Sequence, residues 1–293
     1  MSLSVAIYHK TEYVYDRKVF LSPHLFRLRP AAHAHAVINS YQLTILPPSH
    51  YIHWQQDLFG NFIARADFSE AINGMSLEVR LDATLNPYNP FDFLLDDFAR
   101  FFPFYYPSRI QSDLASYTEI LDWGPRITDL VQKARALTGD TIGFLVELNK
   151  LIYNHVGYIQ RMQAGIQTCE QTLESGMGAC RDSAWLLVQV MRHLGLASRF
   201  ASGYLVQFIG DATIGSVDLH AWAEVFIPGA GWIGLDATSG LFTSEGHIPL
   251  ACTPRPADAA VVTGTTDPCQ SNIYYQSSVT KLPAGNNQAL PLF

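Results

Sequence analysis

The hydrophobic period of this chain changes near residue 127, and that change constrains the fold more than any other feature. Before it, apolar residues alternate with polar ones. Leu77, Val79, Leu81, Ala83 and Leu85 fall on one side of a run, while Glu78, Arg80, Asp82 and Thr84 fall on the other. A two-residue period is that of a half-buried strand. Tyr41, Leu43 and Ile45 alternate in the same way, and Phe59, Gly60 and Asn61 form a turn signal between two strand-like runs. Beyond residue 127, Ile127, Leu130, Val131, Ala134 and Leu137 recur at three- and four-residue spacing. So do Ile142, Leu145, Val146, Asn149, Ile152, Tyr153 and Val156, after a break at residues 138–140 that offers Asp140 as a cap. These spacings predict two helices. Strands first, then helices, then strands again describe an α+β chain that opens with an antiparallel β-sandwich.

The 293 residues suggest two domains. The expected division is a β-sandwich over 1–85, a connection over 86–126 and an α+β domain over 127–293. The connection is crowded with aromatic residues between prolines, from Pro87 to Pro107. It is too apolar for a flexible linker, which would be polar and rich in glycine and serine. It is therefore expected to pack along the domain junction.

A third helix is predicted from Cys180 onward. Ala184, Leu187, Val188, Met191 and Leu194 define one apolar face, and Gly176 and Gly178 lead into it. Cys180 then falls in the first turn, where unpaired N–H groups and the helix dipole favour a thiolate. A cysteine alone is weak support for catalysis, because free cysteine usually packs as a small hydrophobe. Two later residues strengthen it: His220 and Asp236 lie on successive strand-like runs joined by a Pro228–Gly231 turn. Nucleophile, base and orienting acid would then follow one another along the chain.

Geometry removes most competitors. His193 lies thirteen residues along the Cys180 helix, which at about 1.5 Å per residue is roughly 20 Å away. His155 belongs to an earlier helix, and His247, in a loop-like stretch, is the second choice of base. Glu224 shares a strand face with His220 but sits roughly 13 Å along it. Asp182 is read as a first-turn carboxylate favoured by the helix dipole. Trp222, next to His220 on the same face, would either wall the site and contact substrate or fill the core.

Three blocks resemble the core of the transglutaminase-like superfamily: the stretch around Cys180 through Leu205, the His220 strand, and the Asp236 strand, with a Gln171–Gly176 lead-in. The resemblance spans about residues 140–250. It implies a papain/transglutaminase-like core, a nucleophile helix packed on an antiparallel sheet, with Cys180 as nucleophile, His220 as general base and acid, and Asp236 holding the imidazole. Ala237 departs from the family's usual proline. The N-terminal run from Tyr13 to Pro30, with the later Asp57–Asn61, also resembles the β-domain that often precedes bacterial cores of this family. The activity implied is cysteine-dependent acyl transfer to or hydrolysis of an amide of a peptide or protein; the alternative is a binding or scaffold module that keeps the three residues. The Arg-Gly-Gly-X-Cys approach of arylamine N-acetyltransferases is absent, since Gly176–Cys180 reads GMGAC.

This reading makes a demand on strand register. A four-residue tip at 228–231 would set Asp236 against Ala223, on the face opposite His220. The functional reading needs an odd-length loop or a bulge that shifts the pairing by one. The expected outcome is an Asp236 oxygen about 2.6–3.2 Å from the imidazole.

Composition sets the remaining expectations. A net charge of −7 without a basic stripe argues against a nucleic-acid partner. No run approaches the ~20 apolar residues of a membrane span, and the N-terminus lacks a signal-peptide pattern, so a cytoplasmic location is expected. Cys169, Cys252 and Cys269 sit in irregular settings without CxxC pairs, so no zinc site, disulfide scaffold or cofactor is expected.

Overall fold

The computed structural model describes residues 2–161 and 163–283. Six strands come first: β1 (Leu3–Val19), β2 (His24–Phe26), β3 (Val37–Leu46), β4 (His50–Gln56), β5 (Phe62–Phe68) and β6 (Ile72–Leu85). The connection holds two single-turn helices, α1 (Ser108–Gln111) and α2 (Ala115–Thr118). Then follow α3 (Pro125–Arg135), α4 (Thr141–His155), the short β7 (Gly157–Tyr158), α5 (Cys169–Ser175), β8 (Met177–Gly178) and α6 (Cys180–His193). The chain continues through β9 (Ser198–Gln207), β10 (Ile214–Ile227), β11 (Gly231–Asp236), β12 (Leu241–Phe242), β13 (His247–Thr253), β14 (Val262–Thr263) and β15 (Ser271–Lys281).

The alternation read in β6 is the one that packs: Leu77, Val79, Leu81, Ala83 and Leu85 are all buried. They share a core with Val5 and Ile7 of β1 and with Phe26, Ala64 and Ala66 of β2 and β5. Two sheets thus face each other, β15-β1-β6-β3 and β14-β2-β5-β4, as a β-sandwich. The 59–61 turn forms because Asp57 accepts from Phe59 N, Asn61 N and Asn61 Nδ2, at 2.9, 2.9 and 2.8 Å. Gly60 takes a φ of +81° there, which glycine adopts without a steric penalty.

The division at 86–126 does not separate two sheets. β15, at the far end of the chain, pairs with β1 over Val5–Tyr15 and touches the start of β10 at Ile214 and Gly215. One nine-stranded sheet therefore runs from β3 through β15 into β10, β11 and β12, with β9 on β10 and β13 on β9. Tyr204, Val206, Val217, Ile248 and Leu250 from the later half join the sandwich core. The His9 imidazole bonds the Tyr204 hydroxyl at 2.8 Å, and burial pulls His9 down to about 4, so it serves as a neutral hydrogen-bonding link between the halves. The period change at residue 127 marks where the longer helices begin; it carries no information about a last strand that returns to the first sheet. Residues 284–293 of the expected third segment lie outside the described residues.

The aromatic connection is packed, and its partner is the helical core. Phe102 stacks on Phe144 with ring centroids 3.9 Å apart, and the Tyr106 hydroxyl donates to Phe226 O at 2.7 Å. α4 begins where expected, with Asp140 accepting from Gly143 N at 2.7 Å. α6 differs from the one-faced helix predicted, because residues 182–192 are buried on every side. Most of its inward polar atoms find partners in the connection and in the strands beyond it, while Gln189 Nε2 is buried with no partner among the described residues. Gln189 Oε1 accepts from Leu121 N and Asp122 N, Trp185 Nε1 donates to Asp122, and Arg192 donates to Glu119 O, Ser198 O and Pro254 O. A helix enclosed all round is under pressure to place its polar atoms on partners, because an unmade buried hydrogen bond costs about 1–3 kcal/mol. Among the described residues no helix is long and apolar enough to cross a membrane.

Candidate active site

Cys180 opens α6, with Ala179 as the residue before it in extended backbone. Its N–H belongs to the first turn, which has no intrahelical acceptor. The approach to Cys180 is fixed by Asp182, whose side chain is fully buried. Asp182 accepts from Ala179 N at 2.9 Å, Gln167 N at 2.7 Å, and Arg161 through Nε and NH2 at 2.9 and 3.2 Å. This is more than a dipole-favoured first-turn carboxylate: it ties Arg161 and Gln167 to the start of α6. Cys169, expected in an irregular setting, instead opens α5, whose capping box pairs Thr168 with Gln171. Thr-x-x-Gln ahead of a helix is a readable signal, missed because the stretch is polar.

β10 and β11 meet in the register that the functional reading demanded. Ile227 pairs with Gly231 and Ala223 with Leu235, leaving the three residues Pro228, Gly229 and Ala230 in the loop. The odd loop length puts Asp236 on the His220 face. His220 Nε2 and Asp236 Oδ2 are 3.1 Å apart, with the two side chains 9% and 2% exposed. With Nε2 so engaged, Nδ1 is the nitrogen left for the thiol. Burial works against a charged His220, but hydrogen bonds to Asp236 and Cys180, together with their charge, raise it to about 10. Burial likewise opposes an ionised Asp236, and hydrogen bonds from His220, His247 and Thr238 overcome it and hold the carboxyl well below the usual range. The three predicted residues therefore converge, Cys180 from α6, His220 from β10 and Asp236 from β11.

His247, kept from sequence only as a second choice of base, sits on the far side of Asp236. Its Nε2 is 3.3 Å from Asp236 Oδ2, and Ser244 N donates to its Nδ1 at 3.1 Å. Thr238 fills the other carboxylate oxygen, donating from N at 2.9 Å and Oγ1 at 2.7 Å. The His247 contact was not legible in the sequence, since it depends on how β13 returns beside β9, whereas the Thr238 contact is local, two residues beyond Asp236. Trp222 is 1% exposed. Its ring lies 6.5 Å from His220 and 5.3 Å from His247, so it backs the imidazoles.

A second buried cluster lies behind Trp222. Glu224 pairs with Arg199 at 2.7 Å and accepts from Trp222 Nε1 at 3.1 Å, buried Cys252 lies against it, and the exposed His33 closes the cluster from the surface. Arg199 holds Glu224 below the usual range against the opposing effect of burial. Among the described residues, two groups bring metal-ligand atoms within 4.8 Å of one another: His33, Glu224 and Cys252, and His220, Asp236 and His247. In each, a cation would have to displace existing hydrogen bonds, Arg199 and Trp222 on Glu224 or the two imidazoles on Asp236. All four cysteines are free thiols, and burial pushes Cys169 and Cys252 well above the ordinary value. Cys180 is only partly buried.

A thiol at a helix start, an imidazole and a carboxylate on neighbouring antiparallel strands define the papain- and transglutaminase-type arrangement. Residues 128–237 match the transglutaminase-like superfamily, and residues 5–84 match the bacterial transglutaminase-like N-terminal region. The chain thus carries a transglutaminase-like core behind the N-terminal region found in bacterial members of that superfamily. Uncharacterised proteins of Mycobacterium tuberculosis and Mycobacterium bovis are each 24% identical over 286 residues, covering 94% of this chain and 91% of theirs. The crystal structure of a candidate cysteine protease from Cytophaga hutchinsonii superposes with a TM-score of 0.63 at 18% identity, over 96% of this chain and 98% of that one. That likeness covers the whole two-core arrangement.

Proposed function

We propose that this protein is a cysteine-dependent enzyme that cleaves or transfers the acyl group of a peptide or protein amide through a thioester on Cys180. The observation that carries the reading is the 3.1 Å His220–Asp236 bond on the face where His220 also meets Cys180. His220 takes the thiol proton, and the resulting thiolate forms a C–S bond to the amide carbonyl carbon. The N–H of Cys180, at the start of α6 and without an intrahelical acceptor, suits the developing oxyanion. As the C–N bond breaks, the His220 imidazolium gives its proton to the leaving amine. Water or a second amine then attacks the thioester, loses its proton to His220, and releases the thiolate as the C–S bond breaks. Asp236 keeps the imidazole oriented and offsets its positive charge throughout. The description of the Cytophaga relative as a candidate cysteine protease agrees with the hydrolytic branch.

A peptide library incubated with and without a primary amine tests both branches at once. New N-termini that require Cys180 support hydrolysis, and amine-tagged peptides that require Cys180 support transfer. Neither product from the folded protein, across the library, would leave the scaffold alternative in possession.

A further inference from the structure

We infer that His247 is a positioning residue for the proposed reaction, acting through Asp236 as a neutral imidazole locked in one tautomer; this rests on the proposed function above. Ser244 N donates to His247 Nδ1 at 3.1 Å, so that nitrogen must present its lone pair. The proton of a neutral ring is then on Nε2, which lies 3.3 Å from Asp236 Oδ2 and donates to it. Oδ2 is also the atom that meets His220, at 3.1 Å, while Oδ1 is held by Thr238 N and Oγ1. Each carboxylate oxygen therefore carries two donors, and the group cannot turn without breaking one of them.

The consequence is for His220. An aspartate hydrogen-bonded only by the imidazole it orients is free to swing with it. Here His247 and Thr238 fix the carboxylate from the other sides, so the His220 ring is held with its second nitrogen toward Cys180. The ring of His247 is fixed in turn by its edge-on contact with Trp222, at 5.3 Å. Preorganised hydrogen bonds of this kind hold a site within the narrow tolerance that proton transfer requires.

The charged neighbours are all identifiable. On the triad side His247 faces Asp236, and His220 and Cys180 lie beyond it. On the other side it lines a cavity of about 520 Å³ together with His33, His35, Tyr88, Asp92, Arg199 and Glu224. Arg199 and Glu224 neutralise each other at 2.7 Å. A hydrogen on His247 Nδ1 would be set against the Ser244 N–H, so the geometry selects the Nε2–H tautomer.

The test needs no knowledge of the substrate. Iodoacetamide alkylates thiolates, and peptide mass spectrometry isolates the rate at Cys180 from those of the other three cysteines. In the wild type, an ion pair with His220 gives fast alkylation at mildly acidic pH. In His247→Leu that acidic rate is expected to fall about tenfold, the effect of one hydrogen bond to a charged group. His247→Gln, whose amide can donate to Asp236 from a similar position, is expected to restore most of it. An acidic rate unchanged in a folded His247→Leu would overturn the inference while leaving the proposed function standing. A wild type with no acidic shoulder would remove the proposed function instead. Nitrogen NMR of the wild-type imidazoles is independent of any variant's folding. It is expected to show His247 protonated at Nε2 only, and an Nδ1–H tautomer would contradict the account.

Discussion

Ala223 pairs with Leu235, and not with Asp236, across the β10–β11 hairpin. That offset of one residue is what puts the carboxylate on the same face as His220, and it comes from a loop of three residues where four would have reversed it. Gly231, at the first paired position after the loop, has a φ of +79° that a side chain would strain. A single inserted residue in this loop is therefore expected to disconnect Asp236 from His220 while both strands still form. Its signature is loss of acidic alkylation at Cys180 with an unchanged circular dichroism spectrum.

Cys180→Ala is expected to abolish turnover and leave the melting temperature close to that of the wild type, because the residue is only partly buried at a helix start. Cys169→Ala is expected to leave turnover intact. Its thiol is buried in the helical core beside Asp122 and held neutral. Parallel activity and thermal-melt measurements on the two variants separate these roles.

Stability should depend on pH through His220. Its pKa rises from 6.5 unfolded to about 10 folded. A raised pKa means tighter proton binding in the native state, so the stabilisation is complete below about pH 6.5 and is lost as pH climbs through 10. Asp236, held low, acts in the opposite window and loses its contribution as pH falls. Melting temperature followed from neutral to alkaline pH is expected to decline more steeply in the wild type than in His220→Gln. Equal slopes would show that the imidazole is not held charged.

Arg199→Met is expected to destabilise the fold by about 3–5 kcal/mol, the usual cost of stranding one partner of a buried ion pair. Glu224 would then be left charged behind Trp222, with the indole N–H, Cys252 and the His33 imidazole near it. The double variant with Glu224→Gln is expected to recover part of the loss. Chemical denaturation of the single and double variants measures it.

Asp182→Asn keeps the shape of the side chain and removes the charge that Arg161 grips through two nitrogens. About 2–3 kcal/mol of stability is expected to go, as for hydrogen bonds to charged groups. Protease cleavage within residues 163–167 should rise with it, and denaturation alongside limited proteolysis reads both effects.

The residues of the candidate site were legible because each sits in a local pattern: Cys180 at a helix start, His220 and Asp236 on strands flanking a glycine-rich turn. The need for an odd loop was legible too, since strand alternation is arithmetic. His247 was not, because its role depends on β13 returning beside β9, a contact between residues far apart in sequence. The same limit hid the last strand. Nothing in the alternation of Ser271–Lys281 says that its partner is β1, more than 250 residues away. The full enclosure of α6 was also missed, since Gln189 and Arg192 are polar residues that only tertiary hydrogen bonds bring inside.

The central claim is that Cys180, activated by His220, forms the covalent bond. Rapid-quench mass spectrometry with the acyl donor p-nitrophenyl acetate tests it most directly. The account predicts one acetyl group per chain on Cys180 in the wild type, and none at that rate in His220→Ala. Acetylation confined to other residues, or Cys180 acetylated equally fast without His220, would contradict it.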